Sequence, residues 1–306
     1  MTTTPTPPMT DIKATVTEPP VPAGRSGANV GKIIVRVLLG LLVFAWVVPT
    51  IGLLVTSFRE RDVVNNSGWW TALTSPLDFT QWTVQNYDEV FTGQGMGSAF
   101  VNSLAVSIPA TVIPILIAAF AAYAFTFMRF PGRDFFFIVL VGLLVVPLQV
   151  AFIPLLQVYK EIGLVGTFPA VWLAHAAFGM PLAVYILRNY MEGLPGEVIE
   201  SAKVDGASHF TTFWRLIIPM STPALAAYAI FQFLWVWNDL LVALIFLGPG
   251  ENEVVTVNLS TLVGTLGADW HLLTAAAFVT MVVPLIVFLS LQRFFVRGLT
   301  AGSVKG

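Results

Sequence analysis

Side chains able to do chemistry are sparse in this chain, and most lie inside apolar runs. Gln149, His175, Gln232, Asn238 and Asp239 are polar residues with hydrophobic neighbours, and such groups need partners once taken out of water. The densest group is Trp235, Trp237, Asn238 and Asp239. Two indoles beside an amide and a carboxylate suit a sugar, whose ring stacks on indole while its hydroxyls bond the polar groups. Asn238 reads alternatively as a hydrogen-bonding tie between helices, and Asp239 and the lone His175 read as structural. Catalysis is not indicated, because His175 has no evident nucleophile, base or metal partner. His175, His209 and His271 are too scattered for a metal site, and the absence of cysteine excludes thiolate ligands and disulfides. Gly27, Gly31 and Lys32 imitate a phosphate-binding loop, but the glycines are one residue too close. Ile33 also stands where a magnesium-holding hydroxyl is required.

The elements that position these residues follow from composition. With 56% apolar and 10% charged residues, the chain carries less than half the charge of a soluble domain, which is about a quarter charged. It reads as an all-α integral membrane protein with one polytopic domain over residues 30–306. Six stretches approach the roughly 20 apolar residues that a crossing helix needs: 33–56, 99–127, 136–159, 169–187, 222–247 and 272–295. Continuous apolar runs imply helices, since the strands of a barrel would alternate. Residues 1–29, rich in Thr, Pro, Gly and Ala, read as a disordered cytoplasmic tail without a secretory signal. Placing the N-terminus inside leaves only Arg59, Arg61 and Lys160 outside among the lysines and arginines. That positive-inside bias puts both termini in the cytoplasm. The near-neutral charge gives no nucleic-acid footprint. The aromatics Trp69, Trp70, Trp82 and Tyr87 of the first outer segment either cover a pathway mouth or sit at the membrane interface.

One polar stretch between the spans, residues 196–219, has an ordered pattern. Glu197 and Glu200 follow Pro195, where carboxylates favour the positive end of a helix. Gly206 permits the left-handed residue that ends a helix, and Ser208 caps a second one. Phe210, Phe213, Leu216 and Ile217 recur at helical spacing, and Pro219 is expected to close the piece. Within the spans, Pro109, Pro114, Pro147, Pro154, Pro181 and Pro284 are expected to kink their helices.

Glu200, Ser201, Ala202, Asp205, Gly206 and Ala207, followed by Phe213 and Pro219, resemble the EAA loop of ABC-type importer permeases. The one departure is Ser201, where the family pattern has alanine. The resemblance implies a coupling helix that docks into a cleft of a separate ATPase subunit. Glu200 would pair with a basic residue there, Gly206 would permit the turn, and Ala202 and Ala207 would pack closely. Phe210 and Phe213 would anchor the loop against the membrane domain. The similarity extends over about 33–306. Asn102 with Ser103, Ala122-Tyr123-Ala124, Phe130-Pro131-Gly132-Arg133, Gly163-Leu164 with Thr167, and Trp237-Asn238-Asp239 resemble the sugar branch. The ending, residues 298–306, is similar to the tail of the second permease subunit in maltose-type systems. Gly302, Ser303, Val304 and Lys305 would there reach between two ATPase subunits. Gly68-Trp69-Trp70 and the segment from His271 resemble α-glucoside permeases.

What the resemblance implies is a non-enzymatic subunit of the prokaryotic cytoplasmic (inner) membrane that imports carbohydrate, with α-glucosides or related oligosaccharides as solute. Its partners would be a second permease, two copies of an ATPase, an extracytoplasmic sugar-binding protein and the lipid bilayer. No cofactor would bind this chain, ATP and magnesium being held by the ATPases. The expected substrate pathway includes Trp235, Trp237, Asn238 and Gln149. Two alternatives stay open: a stand-alone secondary transporter, whose ion-coupling acids and internal repeat are not evident, and an ABC permease for a non-sugar solute.

Overall fold

The computed structural model describes residues 27–265 and 269–301. The chain divides into two compact units, residues 1–50 and 51–306. The first unit contributes most of helix α1 (Gly27–Ser57). The second contains α2 (Met96–Phe127), α3 (Arg133–Gly142), α4 (Leu148–Glu161), α5 (Phe168–Glu192) and α6 (Gly196–Val204). It continues with α7 (His209–Trp237), α8 (Leu241–Phe246), α9 (Val255–Thr265) and α10 (Trp270–Ala301). Among the described residues every named element is helical, and the one isolated bridge joins Arg59 to Trp82.

Five helices are long and apolar enough to cross a membrane, and a sixth crossing exists if the bent pair α3 and α4 is counted as one. That pair corrects the expectation of a single helix over 136–159. Its two halves meet at 103°. Pro147 is the cause: it lacks an amide donor and disfavours the helical region for the residue before it. Val146 is accordingly extended, at φ −73° and ψ 121°.

The bundle centre is α2, α5 and α7, with α10 packed on α7. Small side chains allow the close approach, since Ala118, Ala119 and Ala122 of α2 share a buried cluster with Ala183 and Val184 of α5. One polar side chain ties the three helices together. Pro114 has no N–H for the Ala110 carbonyl one turn earlier, so that acceptor is left free inside an apolar bundle. Gln232, fully buried on α7, donates from Nε2 to the Ala110 carbonyl at 3.2 Å and to the His175 carbonyl at 3.4 Å. The Tyr228 hydroxyl lies 2.7 Å from the Gly179 carbonyl and 2.9 Å from Gln232 Oε1. Gly179 has to be glycine for this arrangement, because a Cβ there would lie 2.6 Å from Gln232 Oε1.

At the end of the bundle opposite α6, the same logic closes the loops. Asn102 donates to the carbonyls of Glu251 and Glu253, and the Ser103 hydroxyl accepts from the Val255 amide. Arg59 is buried and donates to the Gly68 carbonyl and to the hydroxyls of Ser67 and Thr71. Desolvation lowers the pKa of that guanidinium from its ordinary value.

Two substitutions probe the polar tie. Gly179→Ala forces Gln232 out of position, an overpacking cost of about 1–3 kcal/mol. Gln232→Leu leaves the Ala110 carbonyl unpaired, at a cost of ~1–3 kcal/mol. Both are expected to lower the thermal midpoint of the detergent-purified protein, while Ser260→Ala on α9 leaves it nearly unchanged.

Candidate coupling turn and polar core

The turn between α6 and α7 is built from local backbone chemistry. The α6 helix ends at Val204, Asp205 follows in a near-helical conformation, and Gly206 takes φ +75°. The Ala207 amide donates to the Ala202 carbonyl at 2.9 Å, and the Gly206 amide donates to the Lys203 carbonyl at 3.1 Å. These two bonds define a Schellman motif with glycine at its left-handed position. The pattern Ala202, Asp205, Gly206, Ala207 thereby acquires a physical account. Ala202 and Ala207 are the two positions that this motif brings together, Asp205 is the C-cap, and Gly206 carries the positive φ. Ser201, the departure from the family pattern, turns its hydroxyl back to the Glu197 carbonyl at 2.8 Å. Its side chain is satisfied within the helix, so the change costs the turn nothing visible.

Ser208 then starts α7, its hydroxyl accepting from the Thr211 amide at 3.2 Å. Pro219 does not close a second short helix, contrary to expectation. A π-helical turn over Phe213–Ile217 precedes it, and the α-helix resumes at Ile218. Pro219 therefore stands at the start of a helical segment, where the missing donor is harmless. The consequence is one helix, His209–Trp237, running from the turn into the bundle.

The turn is mounted firmly on its inner side. Phe213 is 2% exposed, stacks on Phe120 at 4.4 Å and meets Tyr123 edge-on at 5.4 Å. The Tyr123 hydroxyl lies 2.9 Å from His209 Nδ1, and Ile199 of α6 is buried in the same cluster. Phe210 does not share this role. It is 70% exposed and touches Trp214 edge-on, while Phe213, one turn further on, is the ring that meets Phe120 and Tyr123. The outer side of the turn presents Glu200, Val204 and Asp205 to the surroundings. Val204 is 87% exposed, and Glu200 has no ion-pair partner among the described residues. Gly302, Ser303, Val304 and Lys305 lie outside the described residues.

The second group of candidate residues sits at the other end of α7. Trp237 is 1% exposed, donates its indole N–H to the Thr280 carbonyl at 3.0 Å and stacks on Phe233. Its faces are occupied by protein. Asn238 is exposed and caps the helix through the Leu234 carbonyl. Asp239 accepts from the amides of Val242 and Ala243, which starts α8. Trp235 is partly buried, and Gln149 is exposed at the beginning of α4. His175 is not alone: its Nε2 lies 3.8 Å from Asp239 Oδ2, and its ring meets Trp235 edge-on. Neither that pairing nor the role of Gln232 is visible in the order of the residues, because the partners come from different helices. Among the described residues no group of three or more His, Asp or Glu side chains is placed to hold a metal ion.

Comparisons with known proteins agree with this architecture. Residues 114–301 match the family described as "Binding-protein-dependent transport system inner membrane component". The osmoprotective compounds uptake permease protein GgtD of Synechocystis sp. is 56% identical, over 90% of this chain and 92% of that protein. The alpha-glucoside transport system permease protein AglG of Rhizobium meliloti is 44% identical, over 87% of this chain and 95% of that protein. Among solved structures, a chain of a bacterial ABC transporter involved in import of the acidic polysaccharide alginate superposes with a TM-score of 0.72. It is 20% identical and is covered over its full length by 90% of this chain, a likeness of fold.

Phe213→Ala is expected to destabilise the detergent-purified protein by ~3–5 kcal/mol, the range for a buried phenylalanine. Phe210→Ala is expected to leave the thermal midpoint nearly unchanged. Side-by-side melting curves check the contrast.

Proposed function

Because the chain belongs to the family of binding-protein-dependent transport system inner membrane components, we propose that it is the second permease subunit of an ATP-driven importer for carbohydrates. The solute class is α-glucosides or related oligosaccharides. As a family member the chain is a multi-pass transport subunit and not an enzyme, ATP being hydrolysed by separate subunits. That membership also removes the stand-alone secondary transporter.

The observation that carries the coupling reading is the Schellman turn with its two unlike sides. Phe213, Ile199 and His209 fasten it to α2 and α5, while Glu200, Val204 and Asp205 face outward. A rigid, solvent-facing turn on the end of a membrane helix is suited to transmit motion. In this reading an ATPase subunit grips the turn, with Glu200 paired to a basic residue in its cleft. Closure of two ATPase subunits around ATP and magnesium displaces α6 and the start of α7, and the pathway turns outward. The excess of Lys and Arg on the same side supports a cytoplasmic location for the turn and both termini, and the residues 302–305 are assigned to the ATPase interface. The solute passes near the α7–α8 break, close to Trp235, Asn238 and Gln149. A second permease, an extracytoplasmic binding protein and the prokaryotic cytoplasmic membrane complete the assembly.

The carbohydrate reading rests on the sugar-type motifs and on the α-glucoside relative. The relative named for osmoprotective compounds leaves a second reading, an importer of an osmolyte that is not a sugar. Uptake of radiolabelled maltose, sucrose, trehalose and glycine betaine into proteoliposomes carrying the assembled transporter separates them. The proposal expects ATP-dependent uptake of at least one sugar and none of betaine, and the reverse result contradicts it. Replacing Glu200 by Ala together with Gly206→Pro is expected to abolish co-purification of the ATPase with a still-folded permease. Retention of the ATPase by that variant would contradict the coupling role.

A further inference from the structure

Where Pro147 breaks the third crossing, a cavity of about 210 Å³ opens against α5 and α7. Trp235, Phe178, Phe231 and Tyr228 line it, together with Leu143 and Leu148 from either side of the break. Leu143 and Leu144 are exposed, so the cavity opens on the surface of the bundle. The polar tie around Gln232 forms its floor through Tyr228 and Gly179.

Two indoles of the bundle are anchored through their N–H groups. Trp172 donates its N–H to the Ala105 carbonyl, and Trp237 donates to Thr280. The Trp235 N–H has no hydrogen-bond partner among the described residues, and Trp235, partly buried, is the indole that lines the cavity. Its ring is also held from the side. His175, buried on α5, meets it edge-on at 5.1 Å and 89°. The Asp239 carboxylate, fixed by two backbone amides, lies 3.8 Å from His175 Nε2, near the ring but beyond hydrogen-bond distance. A line of contacts thus runs from the start of α8 to the wall of the cavity.

We propose that Trp235 is a sugar-contacting platform on this subunit, taking the CH-rich face of one pyranose ring, and that His175 is the positioning residue that holds the indole toward the cavity. The wall supplies aromatic faces for the apolar side of a sugar ring. The unpartnered indole N–H supplies a donor that a sugar oxygen satisfies and a lipid acyl chain does not. The inference rests on the carbohydrate reading above.

The test is equilibrium dialysis of radiolabelled sugar against the assembled transporter in nanodiscs, arrested with orthovanadate and freed of binding protein. The sugar is whichever of maltose, sucrose or trehalose the wild type takes up. Trp235→Ala is expected to raise Kd about tenfold, the equivalent of ~1.4 kcal/mol, and Trp235→Phe, a smaller change to the fold, to raise it less. His175→Asn is expected to raise Kd as well, yet to add nothing in a double variant with Trp235→Ala, because it acts only through the indole. Co-purification of the ATPase verifies that each variant is assembled. An unchanged Kd in both assembled Trp235 variants overturns the proposal, as occupation of the cavity by an acyl chain would produce. Additive effects of His175→Asn overturn the positioning role. Uptake of no sugar by wild type removes the carbohydrate reading itself, a result distinct from sugar uptake with an indifferent Trp235.

Discussion

A helix inside lipid has no water to repair a broken backbone hydrogen bond, and Pro114 breaks one at the centre of this bundle. Gln232 repairs it from another helix. Its carboxamide reaches the Ala110 carbonyl on α2 and the His175 carbonyl on α5, while Tyr228 and Gly179 complete the arrangement. The remaining architecture is consistent with that constraint. Gly179 admits the side chain, the alanines of α2 and α5 let the helices approach, and α7 is held in register against both. A single carboxamide therefore links α7 to both α2 and α5, and α7 carries both candidate functional regions.

That helix is the mechanical element of the account. It has 29 residues, about 43 Å at the helical rise per residue. One end begins in the Gly206 turn, and the other ends at Trp235, Trp237 and Asn238. Because Pro219 does not interrupt it, the Gly206 turn and the Trp235 region are joined by one continuous element. The firm attachment at Phe213, Tyr123 and His209 means that the turn moves with α2 and α5, not as a loose loop.

Much of this was legible in the residues, to the extent that the physics was local. Gly206 as a left-handed residue and Ser208 as a cap depend on neighbours within a few positions, and both stand as the pattern implied. The apolar runs marked the long helices to within about six residues, except the fifth, expected over 222–247 and found over 209–237, because the π-turn carries the helix back to Ser208 and the Asp239 cap ends it early. Three features were less readable because they depend on three-dimensional neighbours. The π-turn that spares Pro219 is a backbone adjustment with no sequence signature of its own. Phe210 and Phe213 are equally apolar, and only the placement of Phe120 and Tyr123 decides which is buried. His175 reads as lone in the sequence because Asp239, in the break between α7 and α8, comes from a distant part of the chain. Pro147 did signal a break, and its size, 103°, follows from the extended Val146 that the proline imposes before it.

The central claim, that the Gly206 turn is where the ATPase grips this subunit, is most directly tested by site-directed crosslinking. The chain has no cysteine, so Val204→Cys creates a single attachment point at a strongly exposed residue of the turn. A photoreactive maleimide placed there, in the assembled transporter within its membrane, is predicted to form an adduct with the ATPase subunit whose yield changes on adding ATP. A variant that transports normally, labels fully and yields no ATPase adduct in any nucleotide state would contradict the account.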